Sequence, residues 1–172
     1  MADEIELERT YLVKSLPKGI ESCESREMLD IYVPASARHP KLRIRKEGER
    51  RVITKKQTID CDESKHLEQT IPLDEGEFAE LSTIAGKRVR KTRYIYNYKG
   101  RTAEIDVFRD GLAGLVLADF EFGSTEEMAS FAMPEFCLAE VTQEEFLAGG
   151  MLCGKDYKDI EGELARYSYA RI

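Results

Sequence analysis

Histidine is scarce in this 172-residue chain: His39 and His66 are the only two, too few for a histidine-built zinc site. The four cysteines, Cys23, Cys61, Cys137 and Cys153, lie far apart with no Cys-x-x-Cys pair, so free thiols are expected. Any metal is therefore expected to be oxygen-ligated. The chain opens on neither a basic nor an apolar stretch, and no apolar run approaches the length needed to cross a bilayer. No internal repeat, low-complexity segment or long linker divides it, so one cytoplasmic domain over residues 1–172 is the expectation. A formal net charge of -7 argues against nonspecific binding to nucleic acid or an anionic membrane, though not against a locally basic cavity.

What the chain has is charge in a two-residue rhythm. In Glu4 to Val13, Glu4, Glu6, Glu8 and Thr10 share one face of a strand, and Ile5, Leu7, Tyr11 and Val13 share the other. Carboxylates crowded on one face repel unless a basic side chain or a metal ion sits opposite. Met28 to Val33 reads as a short second strand, and Lys41 to Arg45 and Arg51 to Lys56 as a hairpin with Arg43 and Arg45 on one face. Thr58 to Lys65 reads as a polar loop and His66 to Ile71 as a further strand. Asp74 with Glu77 forms a capping box for a helix whose stripe is Phe78, Leu81 and Ile84. Strands follow at Val89 to Tyr96, Thr102 to Phe108 and Leu115 to Phe122, around turns at Lys99-Gly100 and Asp110-Gly111. Ser124 with Glu127 and Thr142 with Glu145 read as two more helix starts, the second helix stopping near Gly149-Gly150, and Asp156 to Ile172 as a terminal helix.

A single charged pair on a strand is ordinarily a solvated face. Here the pairs recur and segregate by sign: Glu6/Glu8, Glu104/Asp106 and Asp119/Glu121 are acidic, Arg43/Arg45 and Lys91/Arg93 basic. A polar interior offering both signs suits a polyphosphate bound with divalent cations, since Arg and Lys meet phosphate oxygens and carboxylates hold Mg²⁺ or Mn²⁺. The apolar alternates Ile44, Ile105, Val107, Val116, Ala118, Phe120 and Phe122 are expected to pack under the helices.

Glu6-Leu7-Glu8-Arg9-Thr10-Tyr11-Leu12-Val13 resembles the N-terminal Glu-x-Glu-x-Lys strand of the CYTH superfamily, the triphosphate tunnel metalloenzymes. Leu42 to Arg45, Thr54 to Lys56, Lys91 to Tyr94, Glu104 to Phe108, Asp119 to Phe122 and Glu140 to Thr142 follow in the family's order. The resemblance implies an α+β fold: an eight-stranded antiparallel β-barrel, the triphosphate tunnel, with flanking and C-terminal helices. It implies Arg43, Arg45, Lys56, Lys91 and Arg93 as triphosphate-binding residues, and Glu6, Glu8, Glu104, Asp106, Asp119 and Glu121 as ligands of Mg²⁺ or Mn²⁺. Glu6, Glu8 and Lys56 are the implied catalytic residues; Glu68 and Glu140 are further additions.

The implied activity is metal-dependent hydrolysis of a small-molecule triphosphate, foremost inorganic tripolyphosphate to pyrophosphate and phosphate, by a monomer or homodimer. One departure stands out: Thr10 occupies the place of the family's Lys, while Arg9 should point outward. A register with Glu4 and Glu6 as the acidic pair and Glu8 at the Lys position is the alternative. A non-catalytic binder of polyphosphate or nucleotide, an adenylyl cyclase and a thiamine triphosphatase also stay open, although no base-contacting feature or aromatic clamp is visible. His39 and His66 read as loop or surface residues, and Tyr94 or Tyr96 as candidates for a tunnel mouth.

Overall fold

The computed structural model describes residues 4–172. Nine strands carry the fold: β1 (Glu4–Val13), β2 (Glu24–Val33), β3 (Leu42–Glu47), β4 (Arg50–Ile59), β5 (Asp62–Pro72), β6 (Lys87–Tyr98), β7 (Arg101–Phe108), β8 (Val116–Phe122) and β9 (Cys137–Glu140). Eight hydrogen-bond in the order β5-β4-β3-β2-β6-β7-β8-β1, and β1 returns to β5, so the antiparallel sheet closes into a barrel. Closure depends on β1. One of its edges runs along β8, and the other is shared, Glu4 to Leu7 pairing with β5 and Tyr11 to Val13 with β9. Inner and outer side chains alternate on every strand of such a barrel, and eight strands leave room for packed side chains or one small ligand.

Short helices decorate this wall: α1 (Glu75–Leu81), α2 (Thr125–Ser130), α3 (Gly149–Leu152) and α4 (Glu161–Ala165). Among the described residues no helix is long and apolar enough to cross a membrane. One apolar core lies outside the wall of β1, β7 and β8, where Tyr11, Ile105, Ala118 and Phe120 are covered by Ile20, Phe131, Phe136 and Cys137. Its cover is thus mostly irregular chain, with α2 contributing Met128. The second core caps one end of the barrel: Leu12, Val89, Phe108 and Leu117 meet Leu147, Leu152, Ile160 and Leu164 of the C-terminal segment. Polar inner residues thus give way to apolar ones where the chain covers itself.

Several elements differ from expectation for local reasons. Thr58 to Lys65 is not a loop: β4 and β5 run through it, joined by a turn at Asp60 and Cys61, both left-handed with φ 53 and 58. Residue pairs with positive φ match the twist of a two-residue hairpin. β2 likewise begins earlier, at Glu24. Asp74 and Glu77 form the expected capping box, but α1 buries no residue and Ile84 is exposed. Thr142 caps no helix, because its hydroxyl accepts from the Thr10 N–H and donates to Glu140 Oε1. The chain there makes a short 3₁₀ turn, Glu145–Leu147, before α3. Gly149 and Gly150 open α3 rather than ending a helix; a Cβ on them would lie 2.2 Å from Tyr32 Oη and 2.3 Å from the Pro40 carbonyl. The tail holds only a 3₁₀ turn at Tyr157–Asp159 and the five-residue α4.

Candidate functional site

Every one of the eleven residues Glu6, Glu8, Arg43, Arg45, Lys56, Lys91, Arg93, Glu104, Asp106, Asp119 and Glu121 lines one cavity of about 330 Å³ inside the barrel. That volume lies near the lower end for small-molecule sites. The signs occupy separate sectors. β7, β8 and β1 are neighbours and carry the six acids, while β4, β3 and β6 carry the five cations, with Asp30 of β2 and Glu47 of β3 also lining the cavity among them.

In the acidic sector like charges face one another across adjacent strands: Glu8 pairs in register with Glu121, and Glu104 with Asp119. Directly opposed like charges are destabilising. Burial, with Glu8 and Asp106 close by, pushes the Asp119 carboxyl up to about 7. Burial followed by Glu104, Glu6 and Glu8 raises Glu121. The Thr10 hydroxyl donates to Asp119 Oδ1 at 2.7 Å, so a neutral group stands where the family pattern has an ammonium.

Cations cross from the basic sector to relieve the rest. Lys56 Nζ lies 2.8 Å from both Glu6 Oε2 and Glu8 Oε1. Burial pushes the Glu8 carboxyl up, but Lys56 with help from His66 and Arg43 more than offsets it and holds the group low. Arg93 chelates Asp106 through Nε and Nη2, both at 2.7 Å, and also pairs with Glu104. Lys91 bonds Asp106 as well, and these two cations hold that fully buried carboxyl at about 2 against its burial. Arg43 lies 3.6 Å from Glu68, which also lines the cavity.

Arg45 corrects a simple expectation. It lines the cavity, yet its guanidinium is bound in two-point fashion to Asp30, at 2.6 and 2.7 Å, on the register partner in β2. Asp30 is buried and was invisible as a site residue; its only signal was one acid inside an apolar run, which requires a buried partner. His66 also departs from the surface reading: it is 7% exposed and belongs to the cavity wall. Its Nε2 faces Glu63 Oε2 at 3.3 Å, and Nδ1 has no hydrogen-bond partner. Burial and then Lys56 lower its pKa. His39 lines the cavity too, between Glu145 and Lys41.

Other expectations fall outside the cavity. Glu140 pairs with Arg9 at 3.5 Å on the outer surface, as Arg9's outward direction requires. Tyr96 and Tyr98 stack edge-to-face on Phe136 outside the wall, so that tyrosine row is core packing. Glu6, Glu8 and Thr10 all face inward; the side chain of Glu4, the start of the alternative register, lies outside the described residues.

No family model matches the chain. It is 30% identical over 142 residues to the inorganic triphosphatase of Nitrosomonas europaea, covering 81% of this chain and 91% of that protein. The crystal structure of the inorganic triphosphatase NE1496 superposes with a TM-score of 0.64 at 28% identity, over 87% of this chain and 95% of the other. A candidate adenylate cyclase from Bacillus halodurans shares the fold alone, with a TM-score of 0.59 at 17% identity over 100% of this chain and 94% of that one.

Proposed function

This chain belongs to the triphosphate tunnel metalloenzymes of the CYTH superfamily and is a triphosphatase, and from that premise we propose that it splits inorganic tripolyphosphate into pyrophosphate and phosphate. The observation that carries the substrate is the cavity itself: the five basic and six acidic side chains expected from the sequence all line it, among further charged residues, in a volume suited to a short polyanion. Phosphoryl transfer asks the protein chiefly for positioning and charge stabilisation. Arg43, Arg45, Lys56, Lys91 and Arg93 supply both. Before substrate arrives, Lys56 and Arg93 are neutralised by Glu6, Glu8, Glu104 and Asp106. A triphosphate competes for those cations and releases the carboxylates from them.

The acidic donor set suits a divalent cation by its chemistry, all oxygen and opposed in register, with Asp119 and Glu121 raised by burial and then by neighbouring carboxylates; among the described residues no three of these side chains are already gathered around one ion position, so binding needs them to rearrange. Bound by Glu6, Glu8, Glu104, Asp106, Asp119 and Glu121, Mg²⁺ or Mn²⁺ would screen phosphate charge and acidify the attacking water. Asp106 differs from the others in being already saturated by Arg93 and Lys91. Glu6, Glu8 and Lys56 form the catalytic group of this reading, since they converge at 2.8 Å.

Residues 1–172 are read as a single CYTH-like domain that acts as monomer or homodimer. The four free cysteines suit a cytoplasmic setting. A binder without turnover is the second reading, and the neutral Thr10 beside Asp119 is what favours it. Side-by-side kcat/KM values for tripolyphosphate, thiamine triphosphate and ATP test the assignment. Tripolyphosphate is expected to lead, and a clear preference for either organic triphosphate overturns it.

A further inference from the structure

The cavity holds one polar atom that neither the triphosphate nor the carboxylate set explains. His66 lies on β5, with a ring that is almost wholly buried and a Nδ1 that makes no hydrogen bond, facing Glu8 Oε1 at 3.4 Å. An unpaired buried nitrogen costs on the order of 1–3 kcal/mol, so its retention calls for a partner. The other ring nitrogen is deliberately held: Nε2 faces Glu63 Oε2 at 3.3 Å, and Glu63 Oε1 accepts from the Thr58 hydroxyl at 2.9 Å. In the tautomer that carries its proton on Nε2, toward Glu63, the Nδ1 lone pair is free for a cation and the ring is more basic as a ligand.

That lone pair lies 3.4 Å from Glu8 Oε1. Two donors each about 2.1 Å from one ion, at a right angle, are roughly 3 Å apart, so a small rotation of either side chain lets both bind the same cation. We propose that His66 Nδ1 is a nitrogen ligand in this protein's metal site, shared with Glu8 Oε1 and oriented by Glu63. The inference rests on the reading of the tunnel as a metal-and-triphosphate site, and deepens it by specifying which ions the site prefers. Glu63 cannot join the same ion, since it engages the opposite nitrogen. The remaining positions go to water and phosphate oxygens. Imidazole favours transition ions over Mg²⁺, so the site ranks Mn²⁺ above Mg²⁺ more steeply than carboxylates alone would. Lys56, 2.8 Å from the same Glu8 oxygen, competes with the ion. Triphosphate should therefore strengthen metal binding by drawing the ammonium away.

Pulsed electron paramagnetic resonance of Mn²⁺ on ¹⁵N-histidine-labelled protein, with a methylene-bridged non-hydrolysable triphosphate, tests this without turnover. A ¹⁵N coupling of directly bound imidazole is expected. It should persist in His39→Asn, whose two ring nitrogens already face Glu145 and Lys41, and vanish in His66→Gln. His66→Gln should also weaken Mn²⁺ on the order of tenfold or more while leaving Mg²⁺ nearly unchanged. Phosphorus coupling without nitrogen coupling overturns the role of His66 and leaves the tunnel reading standing. Absence of protein-bound Mn²⁺ overturns both. The labelled wild-type protein decides the matter even if His66→Gln fails to fold.

Discussion

At the scale of single residues, the difference between lining the tunnel and being free inside it governs what a substitution does. From the sequence, Arg45 reads as a phosphate-binding side chain in a wet cavity, where reversal to Glu would spare the fold. Its two-point bond to the buried Asp30 says otherwise. Breaking a buried pair costs about 3–5 kcal/mol, so Arg45→Glu should lower the urea midpoint as well as abolish binding. Burial alone would raise the Asp30 carboxyl, but Arg45 holds it far below its ordinary value. The stability it contributes is therefore fully present above the unfolded pKa of about 3.9 and lost as pH falls through the lower folded value. Asp30→Asn should flatten that acid limb in denaturation measured from pH 5 downward. Thr10→Lys would place an ammonium beside Asp119, and turnover should rise on the order of tenfold, about 1.4 kcal/mol of transition-state stabilisation, with little change in affinity. A fall in kcat would mean the site is built around the neutral hydroxyl. The charged pairs on β1, β3, β6, β7 and β8 were legible because strand parity puts i and i+2 on one face. Asp30 and His66 were not, since each makes its case only through a partner on another part of the sheet.

At the scale of elements, the hairpins around β3, β4, β6 and β7 were readable from their turn residues, and α1 from its capping box. The tip of the β4–β5 hairpin, Thr58 to Lys65, escaped because one face of it turns toward the polar tunnel and the other, as with Lys65, meets solvent. Hydrophobic alternation, the main signal of a strand, is therefore absent there. The opposite failure befell the Thr142 segment, where a helix-start pattern is overridden by hydrogen bonds that tie Thr142 to β1 and to Glu140. Because α1 buries nothing, its capping is a local matter. Asp74→Ala should cost about 1 kcal/mol, visible as faster amide exchange in Glu75–Leu81, while triphosphate binding stays unchanged. Altered binding would show that α1 communicates with the tunnel.

At the scale of the whole molecule, closure turns a local alternation into a function. The acidic strand β1, distant in the chain, joins the acidic pair β7 and β8 only when it seals the barrel against β8. Lys56 of β4 then reaches Glu6 and Glu8 of β1, and Arg93 of β6 bonds its register partner Asp106 on β7, so these cations are held by ion pairs in the absence of substrate. Removing one acidic charge should thus shift the metal requirement more than it shifts folding. Glu6→Gln is expected to raise the Mg²⁺ or Mn²⁺ concentration for half-maximal activity on the order of tenfold, with the thermal midpoint nearly unchanged; an unchanged metal titration would make Glu6 an ordinary partner of Lys56. The most direct test of the account follows tripolyphosphate by ³¹P nuclear magnetic resonance as the purified protein acts on it with Mg²⁺ or Mn²⁺. Equal amounts of phosphate and pyrophosphate should accumulate, with the pyrophosphate persisting. Tripolyphosphate bound tightly by the protein yet recovered intact would contradict it.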